Sequence, residues 1–258
     1  MNFFFGFENK ILKSELTIPK FNNNSDYSDY SIFSAKPKNN QWVIEKIECK
    51  EDNHFFFIEN QLIKNDLFFF LAHKNQIKNE YYSNIKDFFN INNFTDTKPS
   101  AFRANFKIYI KDGGFSSYQS EYPHTMTLKN GNILSPIHSL LDEDSDENLI
   151  LFRNIHHVPN NNESKIFFID IKLKEILTVK KIKNNFSNQI EVNKGLIGKN
   201  VYLFSERVLG IPLYISIKNK HISFEHTHPP HHYILSENQF NVIGKLKKEI
   251  KEIINENY

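Results

Sequence analysis

The chain has 258 residues, which is enough for one large or two small domains with a sizeable hydrophobic core. Its 32 basic and 30 acidic residues are mixed along the sequence and give a net charge of +2. This balance gives no electrostatic support for binding to nucleic acid or to an anionic membrane surface, so we expect neither partner.

The N-terminus, Met1 to Glu8, has no basic region and too short an apolar run for a secretion signal. A membrane-spanning helix needs about 20 consecutive apolar residues, and no later segment contains a run of that length. The single cysteine, Cys49, excludes a disulfide within the chain and a cysteine-based zinc site. We therefore expect a soluble, cytoplasmic protein.

Strand patterns dominate the N-terminal part of the chain. Residues 42–50 and 54–59 flank a polar turn and predict a hairpin, whereas the pattern of 81–89 favours a helix. A polar stretch then divides the chain into a Phe-rich β-meander region, 1–98, and a second β-rich region, 99–258. The two regions can also belong to one continuous domain.

The second region contains further strands and one strong turn signal. A strand is predicted over 102–110. Asn130-Gly131 predicts a hairpin over 126–134, because Asn-Gly is a preferred type I′ turn. Additional strands are expected at 148–155, 165–172, 175–182 and 200–205.

The clearest element is a C-terminal helix over about 237–256. Ser236 and Gln239 have the spacing of a capping box. One apolar helical face contains Phe240, Ile243, Leu246, Ile250 and Ile253. The sequence therefore predicts a mainly β fold, with α+β as the alternative, in which an antiparallel sheet or β-sandwich-like core is accompanied by a C-terminal amphipathic helix.

The densest group of histidines lies between Glu225 and His232, directly after an alternating strand pattern. A two-residue turn at Asn219-Lys220 places His226 opposite Leu213, with His228 two residues further along the same face. Both imidazoles are then expected on the apolar face at the end of a strand.

Two histidines with this spacing can bind one metal ion, since alternate side chains of a strand project to the same side. We predict His226 and His228 as metal ligands, with a divalent metal such as zinc as the candidate cofactor. The third ligand would come from His124, His156, His157, His231 or His232. The alternative is a pair of hydrogen-bonded histidines at the rim of the core.

Only three of the 32 basic residues are arginines, namely Arg103, Arg153 and Arg207. A guanidinium recognises a carboxylate or phosphate through planar, paired hydrogen bonds that lysine cannot reproduce. We predict Arg153 as a catalytic residue, because His156 and His157 follow it, and Arg103 and Arg207 as ligand-binding residues. The alternative for each arginine is an ion pair or a stacking contact.

A loop rich in hydroxyl and aromatic groups is expected between Gly114 and His124. Tyr118 is predicted to bind a ligand by stacking on it, and Glu121 and His124 are predicted as a catalytic acid/base pair. The alternative is an ordered connection whose tyrosines close the core.

The motifs of several common enzyme classes are missing. The sequence has no Gly-x-Gly-x-x-Gly, Walker, Gly-x-Ser-x-Gly or His-Glu-x-x-His pattern. We predict a small-ligand enzyme or binding protein that acts on a polar anionic molecule, such as a sugar or sugar phosphate, with the histidines as metal or acid/base groups. The alternative is a non-catalytic interaction or assembly protein that uses the Phe-rich sheet or the C-terminal helix. Homo-oligomerisation is compatible with either hypothesis.

Overall fold

A computed structural model describes residues 2–22, 25–26, 30–73, 76–88, 103–226 and 236–258. The strands in these ranges are, in chain order, β1 (Asn2–Phe3), β2 (Leu12–Pro19), β3 (Phe21–Asn22), β4 (Ser25–Asp26), β5 (Tyr30–Lys38), β6 (Gln41–Lys46), β7 (Lys50–Glu51), β8 (Phe55–Ile58), β9 (Phe68–His73), β10 (Tyr81–Tyr82), β11 (Ala104–Ile110), β12 (Phe115–Ser120), β13 (Tyr122–Pro123), β14 (Leu134–Pro136), β15 (Glu147–Arg153), β16 (Glu163–Asp170), β17 (Glu175–Lys183), β18 (Ser187–Glu191), β19 (Val201–Ser205), β20 (Ile211–Lys218) and β21 (His221–His226). Short 3-10 helices cover Asn60–Leu62, Ile85–Phe88, His124–Leu128 and Lys194–Leu196, and the α-helix α1 covers Gln239–Asn257.

The larger strands form four antiparallel sheets. Sheet I has the strand order β10-β6-β5-β9, sheet II β12-β11-β2-β8-β7, sheet III β18-β15-β20-β21 and sheet IV β14-β19-β16-β17. Two smaller ladders join β1 to β13 and β3 to β4. The fold is thus mostly β with one C-terminal helix, which confirms the predicted fold class.

The largest hydrophobic core lies among sheets I, II and III. Phenylalanines of the N-terminal region supply much of it and are almost completely buried: Phe3, Phe4, Phe5, Phe7, Phe56, Phe68, Phe69 and Phe70. Leu149, Leu213 and Phe224 belong to the same core, so both predicted regions contribute to it. The predicted boundary at residues 98 and 99 lies outside the described residues.

Sheet III separates this core from a second one that it shares with sheet IV. Along β15, Leu149 and Leu151 face the first core, whereas Ile150 and Phe152 face the second. Because successive side chains of a strand point to opposite faces, both faces of β15 are buried. This double burial explains the continuous apolar run in the sequence.

Helix α1 covers the other face of sheet IV. Ile250, Ile253 and Ile254 on its C-terminal half are buried against Phe167 and Ile169 of β16. The N-terminal half is more exposed, although its Leu246 packs, partly buried, against the same cluster. Within the described ranges, no helix combines the length and apolar character needed to cross a membrane.

The predicted hairpin of β20 and β21 is confirmed down to its register. Asn219 and Lys220 have φ angles of 50° and 64°, which is the conformation of a two-residue type I′ turn. Lys218 pairs with His221, and Leu213 with His226, as expected from the alternation of apolar residues. The predicted position of His228 lies outside the described residues.

The helix predicted over 81–89 is wrong. Its first residues instead form β10, in which Tyr82 pairs with Trp42 of β6, and a 3-10 turn follows at Ile85–Phe88. The local helical pattern is overridden by burial of Tyr82 and Phe88 in the main core.

The hairpin predicted over 126–134 is also wrong. Residues His124–Leu128 form a 3-10 helix, in which the Thr127 hydroxyl donates to the His124 carbonyl at 2.7 Å. Strand β14 pairs with the distant strand β19 and not with the segment before Asn130-Gly131, so the local turn signal does not determine the pairing. The predicted capping box is formed only in part: the Ser236 hydroxyl accepts from the Asn238 amide at 3.2 Å, while α1 begins at Gln239 and its N-cap residue Asn238 makes no side-chain cap hydrogen bond.

Candidate functional site

Tyr118 and His226 meet where sheets II and III lie side by side. Their ring centroids are 4.3 Å apart, and the Tyr118 hydroxyl lies 3.2 Å from Nε2 of His226. The two edge strands β12 and β21 are joined at the opposite end by the Gly114 amide, which donates to the Lys220 carbonyl at 2.8 Å. A Cβ on Gly114 would lie 2.9 Å from that carbonyl, so the close approach of the strands requires glycine.

The phase of two strands brings these rings together. Tyr118 pairs with Phe106 of β11 and therefore lies on the core-facing side of sheet II. His226 continues the face of Phe224, whose ring contacts both Phe106 and Tyr118. The pair thus sits at the rim of the main core, and both residues are half-buried.

Arg103 and Glu121 extend this group of residues. The hairpin of β11 and β12 places Arg103 beside the residues that end β12, with its Nη1 donating to the Gln119 side chain at 3.0 Å. Its Nε lies 3.6 Å from a Glu121 carboxylate oxygen. We call Arg103, Tyr118, Glu121 and His226 the Tyr118 cluster.

Two pKa shifts describe the electrostatics of the Tyr118 cluster. Burial raises the pKa of Tyr118 above its usual value, and the Glu225 carboxylate raises it further, while Arg103 acts in the opposite direction. Burial also raises the pKa of Glu121, against the opposing effect of Arg103. Tyr118 therefore keeps its proton at pH 7, and its hydroxyl donates to Nε2 of His226 in one ring tautomer and accepts from it in the other.

This hydrogen bond bears on the predicted metal site. Nε2 of His226 faces the Tyr118 hydroxyl, so a metal ion would have to bind Nδ1 or displace Tyr118. His228, the predicted second ligand, lies outside the described residues. The part of the chain that the structure describes contains no group of three histidine, cysteine or acidic residues arranged to hold a metal ion. Metal binding by His226 and His228 therefore stays a prediction.

His124 lies in a different environment from Glu121, the residue with which it was predicted to act. It begins the 3-10 helix after β13 and is only 6% exposed. Glu121 is more accessible and pairs with Arg103. The catalytic roles predicted for both residues stay predictions, and Glu121 is the one that belongs to the Tyr118 cluster.

Arg153 is completely buried and links distant segments of the chain. Its Nη1 donates to the Asn65 carbonyl at 2.8 Å and to the Ser187 hydroxyl at 3.2 Å. Its guanidinium carbon lies 6.0 Å from the centroid of the Phe5 ring. Burial lowers the pKa of Arg153 to about 9, partly offset by Tyr122, so the group is still charged at pH 7. These contacts place Arg153 in the core, and none of them is with a residue of the Tyr118 cluster.

Arg207, the third arginine, lines a cavity of about 590 Å³ that also includes His156 and Lys165. None of the residues that line this cavity belongs to the Tyr118 cluster. Of the three arginines predicted to act at a site, Arg103 is the one that the described part of the chain brings beside Tyr118.

Two residues that act on the Tyr118 cluster were not identified from the sequence. Gln119 orients Arg103, and Glu225 acts on Tyr118 through its charge. Gln119 follows from the register of the β11–β12 hairpin, because it pairs with Asn105, which lies on the same strand face as Arg103 two residues earlier. No known family model, curated protein or solved structure matches this chain, so its function is argued from these side chains.

Proposed function

We propose that this protein binds a small, polar, anionic molecule, such as a sugar or sugar phosphate, at the Tyr118 cluster. The observation that carries this proposal is the juxtaposition of a tyrosine–histidine hydrogen bond of 3.2 Å with an exposed guanidinium. The cluster thus combines an anion-binding group, an aromatic ring and an acid/base pair at the rim of the core.

Arg103 is the group that would bind the anionic part of the ligand. Its side chain is 59% exposed, and its ion pair with Glu121 is long, at 3.6 Å. A solvent-exposed ion pair of this kind contributes little stability, so a ligand oxyanion can replace it at small cost. A planar guanidinium can then form two parallel hydrogen bonds to a phosphate or carboxylate.

Tyr118 and His226 would act on the polar part of the ligand. The Tyr118 ring can stack on an apolar sugar face, and its hydroxyl can pass a proton to or from His226. Because Nε2 of His226 already faces this hydroxyl, we favour an acid/base role over metal binding. If the protein is an enzyme, this pair would transfer the proton of a ligand hydroxyl.

Calorimetric titration of the full chain with glucose 6-phosphate, inorganic phosphate and glucose at constant ionic strength tests the proposal. The phosphate-bearing probes should bind more tightly than glucose, and Arg103→Gln should weaken them about tenfold. Lys248→Gln is the matched control, because it removes the same charge from an exposed site on α1. Absence of binding by every probe, or an equal loss in both variants, would contradict the proposal.

Elemental analysis of the tag-free chain, beside the His226→Ala/His228→Ala double variant, separates the acid/base role from the metal role. The acid/base role predicts no stoichiometric metal in either protein. Stoichiometric zinc that disappears in the double variant would instead assign His226 and His228 as ligands and overturn the acid/base assignment.

The alternative, an interaction protein, is favoured by one observation on α1. Phe240 and Val242 are 70% and 41% exposed, whereas most phenylalanines of the N-terminal region are buried in the core. A role of this helix in self-association predicts a dimer in sedimentation equilibrium that Phe240→Ser weakens. If the wild-type chain is a monomer at all concentrations, α1 does not mediate self-association.

A further inference from the structure

A cavity of about 590 Å³ lies where the C-terminal end of α1 meets sheet IV. Residues of β16, the segment after β15, the turn after β19 and the last turn of α1 all contribute to its wall. A volume of this size is typical of sites for small molecules. We call it the His156 cavity.

His156 supplies a buried polar atom to the His156 cavity. Its Nε2 is inaccessible to solvent and has no hydrogen-bond partner among the described residues. Burial lowers the pKa of His156, and the neighbouring His157 lowers it further, while a hydrogen bond of the His156 ring with the Asn184 side chain raises it. The ring is therefore neutral at pH 7 and can donate or accept at Nε2 according to its tautomer. Since buried polar groups are rarely left unpaired in proteins, this atom points to a ligand group in the cavity.

Two cations line the same cavity. Lys165 lies over the ring of Tyr258, with its Nζ 4.2 Å from the ring centroid. Arg207 is exposed and takes part in none of the ion pairs formed within the described ranges. Its φ angle is 62°, a left-handed conformation that is unusual for a residue other than glycine, asparagine or aspartate.

The rest of the wall supplies hydrogen-bonding groups and two carboxylates. Asn184 accepts from the Ser164 hydroxyl at 2.9 Å and donates to Asn160 at 3.0 Å, which fixes its amide. The charge of Glu163 is offset by Lys181 at 3.0 Å, and Glu206 also lines the cavity. The wall therefore matches a ligand that carries an oxyanion together with hydroxyl or amino donors.

We propose that the His156 cavity is a second binding site, for a small oxyanion-bearing molecule. Arg207 and Lys165 bind the phosphate or carboxylate group, and His156 pairs with a polar group of the ligand at the buried end. The proposal is independent of the Tyr118 cluster, because none of these residues takes part in that cluster.

The test is nuclear magnetic resonance of the full chain labelled at histidine, with the His156 ring signal assigned from His156→Gln. Inorganic phosphate, glucose 6-phosphate and acetate are added in turn, with sodium chloride at equal ionic strength as the reference. We expect a saturable shift of the His156 signal with at least one oxyanion and none with chloride. A His156 signal that no oxyanion displaces would overturn the proposal.

Arg207→Gly separates binding from folding. Glycine accepts a φ of 62° without strain, so this variant should unfold at the same temperature as the wild-type chain or higher. It should nevertheless weaken oxyanion binding at His156 about tenfold. Arg103→Gln is the control and should leave the His156 response unchanged. Wild-type affinity in Arg207→Gly, or an equal loss in Arg103→Gln, would contradict the assignment of this cavity.

Discussion

Arg103 and Arg153 carry the same side chain in similar sequence contexts, yet they occupy opposite environments. Arg103 is 59% exposed and contacts residues of its own hairpin, whereas Arg153 is fully buried and contacts Asn65 and Ser187. The exposed guanidinium keeps hydrogen-bond donors that a ligand can reach. The buried one uses its Nη1 donor to join separate parts of the chain.

The difference shows why a rare residue type does not by itself mark a site. Both arginines lie at the end of a strand-like run, and the nearby histidines favoured Arg153 as the functional residue. The partners that decide its environment lie 88 and 34 residues away in the sequence. No local pattern reports such distant contacts. The hairpin that positions Arg103 was not predicted either, because residues 114–124 were expected to form a loop, and that prediction is wrong where β12 pairs with β11.

The largest expected effect is on the buried arginine. Arg153→Ala should lower the free energy of unfolding by about 3 kcal/mol, because it leaves a cavity in the main core and removes two hydrogen bonds. Arg153→Met fills the same space without a buried charge and should stay within about 1.5 kcal/mol of the wild type. Urea denaturation measures both variants. Equal destabilisation by alanine and methionine would show that the charge, and not the volume, is essential.

His156 is intermediate between the two arginines in burial and allows a pH test. Its folded-state pKa is below its usual 6.5, so the unfolded chain binds more protons as the pH falls below 6.5. The wild-type chain should therefore lose stability between pH 6.5 and the lowered folded-state pKa, and His156→Gln should lose less. Thermal unfolding across this pH range measures the difference, with His221→Gln as the exposed control. Parallel curves for the wild type and His156→Gln would show that His156 titrates normally.

Replacement of Glu121 should change the free energy of unfolding by a smaller amount, and the pH dependence of this change should be opposite to that expected for His156. Burial raises its folded-state pKa, which disfavours the ionised form in the folded protein at neutral pH. After allowance for solvent screening, Glu121→Gln should raise the free energy of unfolding at pH 7 by about 0.5 kcal/mol. This gain should vanish below pH 4.5, where the wild-type carboxyl is protonated in both states. Chemical denaturation at the two pH values compares them, and a gain that persists in acid would show that burial of the ionised carboxylate is not its cause.

The smallest change is expected at the exposed arginine. Arg103→Ala removes a solvent-exposed ion pair and should alter the free energy of unfolding by no more than about 0.5 kcal/mol. Urea denaturation beside Arg153→Ala gives the direct comparison. A loss as large as that of Arg153→Ala would mean that Arg103 also holds the fold together.

Prediction from sequence succeeded where a turn fixed the register. The Asn219-Lys220 turn and the alternation of β20 placed His226 opposite Leu213, which is what the structure has. The same reasoning failed at Asn130-Gly131, because the segment before it forms a 3-10 helix and β14 pairs with distant β19. A Cβ at Gly131 would lie 2.8 Å from Cδ2 of Leu209, so a larger residue there would require the Leu209 side chain to shift.

The candidate site was predictable in part for the same reason. Local patterns placed His226 at the end of a strand, whereas Tyr118 was expected in a loop and lies in β12, and the contact between them depends on the meeting of two sheets. The His156 cavity is assembled from β16, the turn after β19 and α1, which local sequence patterns do not connect. Local sequence patterns therefore could not predict the contacts between elements that are distant in the sequence.

The most direct test of the proposed function is the response of Tyr118 itself to a ligand. We would follow the ring-carbon resonance of Tyr118, in a chain labelled at tyrosine and assigned with Tyr118→Phe, during titration with glucose 6-phosphate. The proposal predicts a saturable shift of this resonance that Arg103→Gln abolishes and Arg207→Gly leaves intact. A Tyr118 resonance that stays fixed while the probe binds elsewhere, or while nothing binds, would contradict a ligand site at the Tyr118 cluster.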